Sequence, residues 1–335
     1  MKQRKGLSPR IAMAGTGILI AVLFFVSICI GQYPISLSEI WGIFRGGMED
    51  TMAYQVFYTL RLPRTILALM AGMAMGVAGS IYQIIFKNPL ASPDIIGVTA
   101  GANLGAAAAI LFLGGSAAAL AGGAFIGGIL VVLLVMALVR VTGLNQTSTY
   151  VLAGIVMSAI SKALIMTLKY FADPLNELAA IEFWTMGSLA QATRTKLLVV
   201  APLFLVSLAG LFLLRRQIGL MALNEDECRM LGVRIRPVRL SVLLLSTLLV
   251  ASVVSVTGLI AFIGLVVPHI ARLMIKRSGT ALTVLSGLMG GAILIPADCL
   301  ARSLGSAEIP ISILTTFLAV PFLFYLMCRQ KGGVR

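Results

Sequence analysis

The sequence predicts an all-α polytopic membrane protein with about ten transmembrane helices and both termini cytoplasmic. Three observations carry this. Of 335 residues, 59% are hydrophobic and only 11% charged, against roughly 25% charged in a soluble domain. The apolar residues fall in runs of about 17 to 25, the length that crosses a hydrocarbon core. The basic residues gather between alternate runs, as they do in cytoplasmic loops.

The first run, 11–31, follows a basic tail carrying Lys2, Arg4, Lys5 and Arg10. Such a start also describes a signal peptide, but the run is long and many like it follow, so it reads as a membrane helix. Nine further runs follow at 65–86, 95–113, 119–139, 148–171, 196–214, 239–257, 258–275, 281–297 and 309–328. The seventh and eighth are nearly continuous, parted only around Thr257-Gly258. No stretch suggests a second soluble domain, so 1–335 reads as a single transmembrane domain. The longest connections are 32–64, 172–195 and 215–238.

An even number of spans puts both termini on one side. The tails are basic, with Arg329, Lys331 and Arg335 at the C-terminal end, so that side is cytoplasmic. Alternation then places Lys87, the turn after Arg140, the six arginines between 215 and 239, and the Arg272/Lys276/Arg277 turn inside. Most of the 26 basic residues fall there. The outer side collects acids, among them Glu39, Asp173, Glu177, Glu182, Asp298 and Glu308. A net charge of +14 would suggest nucleic acid in a soluble protein; distributed this way it describes a protein embedded in a bilayer, with no nucleic-acid partner.

Several chemistries find no support. No GxxxxGK[ST] cradles nucleotide phosphates, and no nucleophile–base–orienter set is visible. Cys29, Cys228, Cys299 and Cys328 form no CxxC pair and read as small apolar residues. The lone His269 lacks companions for a metal site. The chain is therefore expected to be no enzyme, with no cofactor or metal of its own.

Packing signals are plentiful. Gly72-x-x-x-Gly76, Gly97-x-x-x-Gly101-x-x-x-Gly105 and Gly123-x-x-x-Gly127 are small-residue faces at helical spacing. They serve either ordinary helix packing or a subunit interface. "KNPLASPDIIG", 87–97, cannot continue a helix through its prolines. It reads as a re-entrant turn lining a path or as a plain cytoplasmic loop. Lys162 and Lys169 lie seven residues apart on one face of the fifth span. Lys169 stands near the outer end and is expected to snorkel; Lys162 is the deeper, and it faces an anionic substrate or a wet pathway, or else belongs to an ion pair or snorkels. Span interiors hold no deep carboxylate for a proton relay, which counts against gradient coupling.

The loop 220–236, around "LNEDECRMLGVRIRP", has acids at 225–227 and a glycine at 232. These suit the start and stop of a short cytoplasmic helix. Such a helix either docks on a soluble partner or lies on the surface without one. At the other face, "RLPR" (Arg61 to Arg64) stands outside, against the usual charge rule. Its arginines either snorkel or form a docking patch, and Pro63 suits a first helical turn.

Four blocks now carry a resemblance: "RLPRTILALMAGMAMGVAGSIYQIIFKNPLASPDIIGVTAGA" (61–102), "EFWTMGSL" (182–189), "ALNEDECRMLGVRI" (222–235), and "GLIAFIGLVVPHIARLM" (258–274) continuing through "ADCLAR" and "EIPISILTTFLAVPFLFYL". The chain resembles the FecCD-type permeases of ABC importers for iron–siderophore, haem and cobalamin uptake. The resemblance implies ten helices per subunit and a homodimer with the pathway at its interface. It also implies two cytoplasmic ATP-binding subunits carrying ATP and Mg, an extracytoplasmic substrate-binding protein, and a bacterial or archaeal cytoplasmic membrane. By the same resemblance Ala222, Leu223, Glu225, Arg229, Leu231 and Gly232 belong to the ATPase-coupling element. Asn88, Leu90, Thr147 and Ser148 close the inner end of the path, the last two by a looser match. Arg61, Arg64 and Arg302 receive acids of the binding protein.

Two features depart from the pattern. "EIPIS" places Ser312 where the family often has glycine, and Lys162 and Lys169 are not part of the pattern. The expected cargo is a metal chelate, a ferric siderophore before haem or cobalamin. A gradient-driven secondary transporter is the rival from another class, and a structural scaffold the third reading.

Overall fold

Every regular element among the described residues is helical, because a backbone in lipid must satisfy its own polar groups and a helix does so within one segment. The structure is a computed structural model and describes residues 6–31, 33–46, 48, 51–143, 147–305 and 307–331. In chain order the helices are α1 (Pro9–Cys29), α2 (Leu37–Phe44), α3 (Met52–Gln55), α4 (Leu62–Ile85), α5 (Pro93–Ile96), α6 (Val98–Leu113), α7 (Ala117–Thr142) and α8 (Thr147–Phe171). They continue with α9 (Glu177–Met186), α10 (Arg194–Leu213), α11 (Arg215–Leu220), α12 (Glu225–Met230), α13 (Ile235–Thr257), α14 (Ile263–Ile275), α15 (Thr280–Ala301) and α16 (Ile311–Lys331). Among the described residues seven helical stretches are long and apolar enough to cross a membrane; α6, α14 and the apolar part of α16 are shorter. Together these match the predicted apolar runs in order.

Two boundaries differ from expectation. "RLPR" does not open a helix. Residues Met52–Ile85 form one helical stretch, with a π-helical turn at Val56–Arg61 joining α3 to α4. Proline cannot donate to the ladder, and its ring clashes with the preceding turn. Widening the turn before Pro63 to π geometry, with Leu62 N–H bonded to Phe57 O, lets the chain pass without breaking. The eighth run also starts later than expected. Residues 258–262 are irregular, with Gly258 at φ 67° and Phe262 at φ 63°, so α14 begins only at Ile263. Ser312 has a place here, since its hydroxyl donates to Leu259 O at 2.8 Å and ties the start of α16 to this break.

α4 is the centre of the bundle. From Thr65 to Ile85 nearly every side chain is buried. It runs antiparallel to α15 at backbone contact. A methyl group built on Gly72 would lie 2.3 Å from Gly290 O, and one on Gly76 2.1 Å from Ser286 O. α6 and α7 meet in the same way, Gly101 against Gly127 and Gly105 against Gly123. The small-residue faces are therefore spent on contacts within the chain, and the subunit-interface alternative for them is overturned. Without a hydrophobic force between helices in lipid, such close approach is what dispersion requires.

The two ends of the bundle differ in chemistry. At one end Leu7 N–H bonds Met274 O at 2.9 Å and the Thr280 hydroxyl bonds Arg215 O at 3.0 Å. The N-terminal segment, the 276–280 turn and α11 thus share the end that the charge rule makes cytoplasmic. The opposite end holds Arg61, Arg64, Asp298, Arg302 and Glu308.

Candidate functional site

The outer arginines are not a free patch. Arg61 lies on the π turn, Arg64 in the first turn of α4 and Arg302 just past α15, and all three are buried. Arg61 donates through Nη1 to the carbonyls of Ile28, at 3.0 Å, and Ile30, and through Nη2 to Tyr33 O at 2.8 Å. It closes the end of α1, whose last carbonyls have no helical partner. Arg64 pairs with Asp298, Nε to Oδ1 at 2.9 Å and Nη2 to Oδ1 at 2.8 Å, and reaches Glu308 Oε1 at 2.7 Å through Nη1. Arg302 donates to Ser27 O at 2.5 Å and Ser27 Oγ at 2.8 Å, with Nε 3.4 Å from Asp298 Oδ2. Asp298 is 1% exposed, and charge at that depth is held only by such pairing. The geometry thus gives the three guanidinium groups an inward, helix-joining role. What they show a partner directly is small, and the partly exposed member of the cluster is Glu308.

Beside Glu308 opens a cavity of about 600 Å³, bordered by Trp184, Ser188, Gln191, Thr257 and Pro310. Sequence reasoning missed it because its walls come from four separate connections. A signal was present in "EFWTMGSL", where Gly187 takes φ 71° and a methyl on it would lie 1.9 Å from Leu259 O. Glycine is required there for close approach.

At the inner end, Asn88 folds the turn on itself, its Oδ1 accepting from Leu90 N–H at 2.9 Å. Leu90 is exposed on the tip. Phe86, Lys87 and Asn88 form one wall of a cleft of about 510 Å³ whose other wall is Ser148, Val151, Leu152 and Ile155 of α8. The structure therefore brings two of the predicted gate residues, Asn88 and Ser148, to one opening. Thr147 begins α8, but its side chain lies outside the described residues. Asp94, on the next turn, accepts from Thr99 Oγ1 at 2.8 Å, and burial pushes its carboxyl up to about 6.

Lys162 is exposed on α8, on the face that also carries exposed Ile155 and Met166, which is left uncovered among the described residues. Lys169 is different. It pairs with Glu182 of α9 at 2.7 Å, both groups partly exposed, so it forms an ion pair where snorkelling was expected.

The predicted cytoplasmic helix forms as α12. Glu227 Oε2 accepts from Asn224 N–H at 3.1 Å at its start. Its end is a Schellman turn, Val233 N–H to Cys228 O at 3.0 Å, with Gly232 at φ 76°. Cys228 Sγ reaches back to Leu220 O at 3.0 Å and anchors the helix on α11. Ala222, Leu223, Leu231 and Gly232 are exposed. The side chains of Glu225 and Arg229 lie outside the described residues.

Comparison with known proteins shows the family and the fold. Residues 19–329 match the FecCD transport family. The chain is 35% identical to the "Molybdate import system permease protein MolB" of Haemophilus influenzae, covering 95% of this chain and 96% of that one. It is likewise 35% identical to the "Hemin transport system permease protein HmuU" of Yersinia pestis, covering 97% of each. Among solved structures, a "metal-chelate type ABC transporter" in an inward-facing conformation superposes with a TM-score of 0.85 at 35% identity, over 96% of this chain and all of that one.

Proposed function

Since the chain belongs to the FecCD transport family and is the permease of an ABC importer, we propose that it carries a metal chelate of the ferric-siderophore class along a path formed between two copies of itself. Such a permease is a transport component of the cell's inner membrane rather than an enzyme, and it works with ATPase and substrate-binding partners.

One observation carries the reading. Lys162 sits about 22 Å along α8 by helical rise, on a face left uncovered among the described residues. An ammonium at that depth does not face hydrocarbon without cost. A second copy of the chain, enclosing a wet path for an anionic cargo, supplies its environment. The cleft that joins Asn88 to Ser148 lies on the same helix and forms the inner gate. α12 seats in one of two ATPase subunits. ATP binding draws those subunits together, α12 transmits the motion, and the path opens toward the binding protein; hydrolysis resets it. Glu308 and the outer cavity form the rim that receives the binding protein, with Arg61, Arg64 and Arg302 fixing that rim's shape.

The same cation favours one second reading, an oxyanion cargo, which is what MolB is named for. The test is reconstitution of the chain in proteoliposomes with its ATPase and binding protein. Ferric siderophore, haem, cobalamin and molybdate are then compared for stimulation of ATP hydrolysis. Strongest stimulation by ferric siderophore is expected. Stimulation by molybdate alone transfers the assignment to the oxyanion. Uptake without ATPase, abolished by an uncoupler, overturns both.

A further inference from the structure

We propose that a groove between α10 and α15, at the end carrying the basic loops, binds one acyl chain of an anionic glycerophospholipid whose phosphate rests on Arg215. α10 and α15 both pack on α4 and leave a recess of about 460 Å³ between them. Met73, Val77 and Ile81 floor it at four-residue spacing, which is one stripe of α4. Leu205 and Phe212 form one wall and Val284 part of the other. Ala209 and Gly287 supply the room, since a larger residue at either would fill it. From Leu205 to Arg215 the groove runs about 15 Å by helical rise, the reach of a single chain rather than of a compact solute.

Arg215 is the charged residue of the lining among the described residues, and it stands at the mouth. Arg215 lies over the Phe212 ring, 4.2 Å from the centroid, and donates through Nη1 to Phe212 O at 3.0 Å. The guanidinium is thereby held at the lip of the groove with its remaining N–H groups directed to no acceptor among the described residues. The hydrogen bond from Thr280 Oγ1 to Arg215 O brings the turn bearing Arg277 to the same place. Arg216 is the next residue of the chain, and neither 215–223 nor 276–284 contains Asp or Glu. A phosphodiester matches this charge, and an arginine fork matches its oxygens. Anionic lipids are the hydrophobic anions that a cytoplasmic leaflet supplies to such a basic pocket between helices. An uncharged lipid would satisfy the groove but not its mouth; a free phosphate would do the reverse.

Native mass spectrometry of the detergent-purified protein tests this, using phosphatidylglycerol and phosphatidylcholine of identical chains, with sn-glycerol 3-phosphate as the headgroup alone. The expected result is selective retention of one phosphatidylglycerol per chain. Arg215→Gln with Arg216→Gln should weaken it roughly thirtyfold, the loss of two surface charges against an anionic headgroup. Ala209→Trp, at a site uncovered by protein, should block retention by filling the recess. Leu205→Trp is the second groove variant, and melting without lipid confirms that each folds. Equal retention of both lipids, retention unmoved by the arginine pair or by both tryptophans, or full competition by sn-glycerol 3-phosphate would each overturn the proposal.

Discussion

Arg64 and Asp298, 234 residues apart in sequence, meet as a buried pair with Nη2 2.8 Å from Oδ1. One carboxylate thereby joins the first turn of α4 to the last turn of α15, and Glu308 extends the pair to the approach of α16. Removing Asp298 leaves Arg64 with Glu308 alone and takes from Arg302 its nearby carboxylate, at a cost toward the lower end of the about 3–5 kcal/mol of a broken buried pair. Asp298→Ala should therefore lower the unfolding temperature in detergent sharply. The double change Arg64→Met with Asp298→Leu should recover part of the loss, because the most buried pair goes together while Glu308 and Arg302 still lose a partner. An Asp298→Ala protein as stable as the parent removes the helix-joining role.

The glycine contacts predict a contrast within one helix pair. Gly105→Ala places a methyl 1.9 Å from Gly123 O, whereas Gly122 meets nothing within 4 Å. Overpacking costs about 1–3 kcal/mol, while Gly→Ala on an open helical face gains up to about 1 kcal/mol. Thermal unfolding of the two variants should move in opposite directions.

For the coupling helix the clean test is Leu231→Glu. Gly232 takes φ 76°, so replacing it would also strain the Schellman turn. Leu231 is exposed, and its change should leave folding intact. Transport should drop while ATP hydrolysis continues; ordinary uptake by Leu231→Glu would remove α12 from the coupling path.

Lys162→Met tests the path. Loss of one charged contact is worth about 1.5–3 kcal/mol, so uptake of an anionic cargo should fall at least tenfold. Lys162→Arg should restore part of it. Unchanged uptake of every chelate and of molybdate would place Lys162 outside the path.

Asp94 predicts a pH dependence. Its carboxyl is pushed up to about 6 by burial, from an ordinary value of 3.8, so the fold favours the protonated acid. The stability this provides is complete below pH 4 and is lost as pH rises through 6, by up to about 3 kcal/mol. Asp94→Asn should flatten the unfolding profile between pH 4 and 7, with the parent losing stability across that window.

Much of the site was legible because local signals sufficed. Acids at 225–227 and Gly232 mark the ends of α12 through dipole and backbone requirements that belong to neighbouring residues. The "NPL" turn is legible for the same reason, since Asn88 bonds its own loop. The outer arginines read differently. Arg61 seemed an outward charge because counting gives a side of the membrane but not a direction for the side chain. Its acceptors, the carbonyls of Ile28, Ile30 and Tyr33, are backbone groups that leave no mark in composition. The π turn before Pro63 was hidden likewise, since whether a proline starts a helix or is absorbed by one depends on what holds the preceding turn.

Sequence alone determined the class of the protein, the order of its apolar helices and the two chemically distinct ends, and the resemblance of its four blocks pointed to the family. The first three follow from hydropathy, charge asymmetry and near-neighbour spacing, which act along the chain. Tertiary structure decided which small-residue faces meet, that the arginines turn inward to Asp298 and backbone carbonyls, that Lys169 is paired while Lys162 faces open space, and that a groove lies between α10 and α15. These depend on groups distant in sequence coming within a few ångströms, and on empty space between helices, and neither is a property of any local stretch.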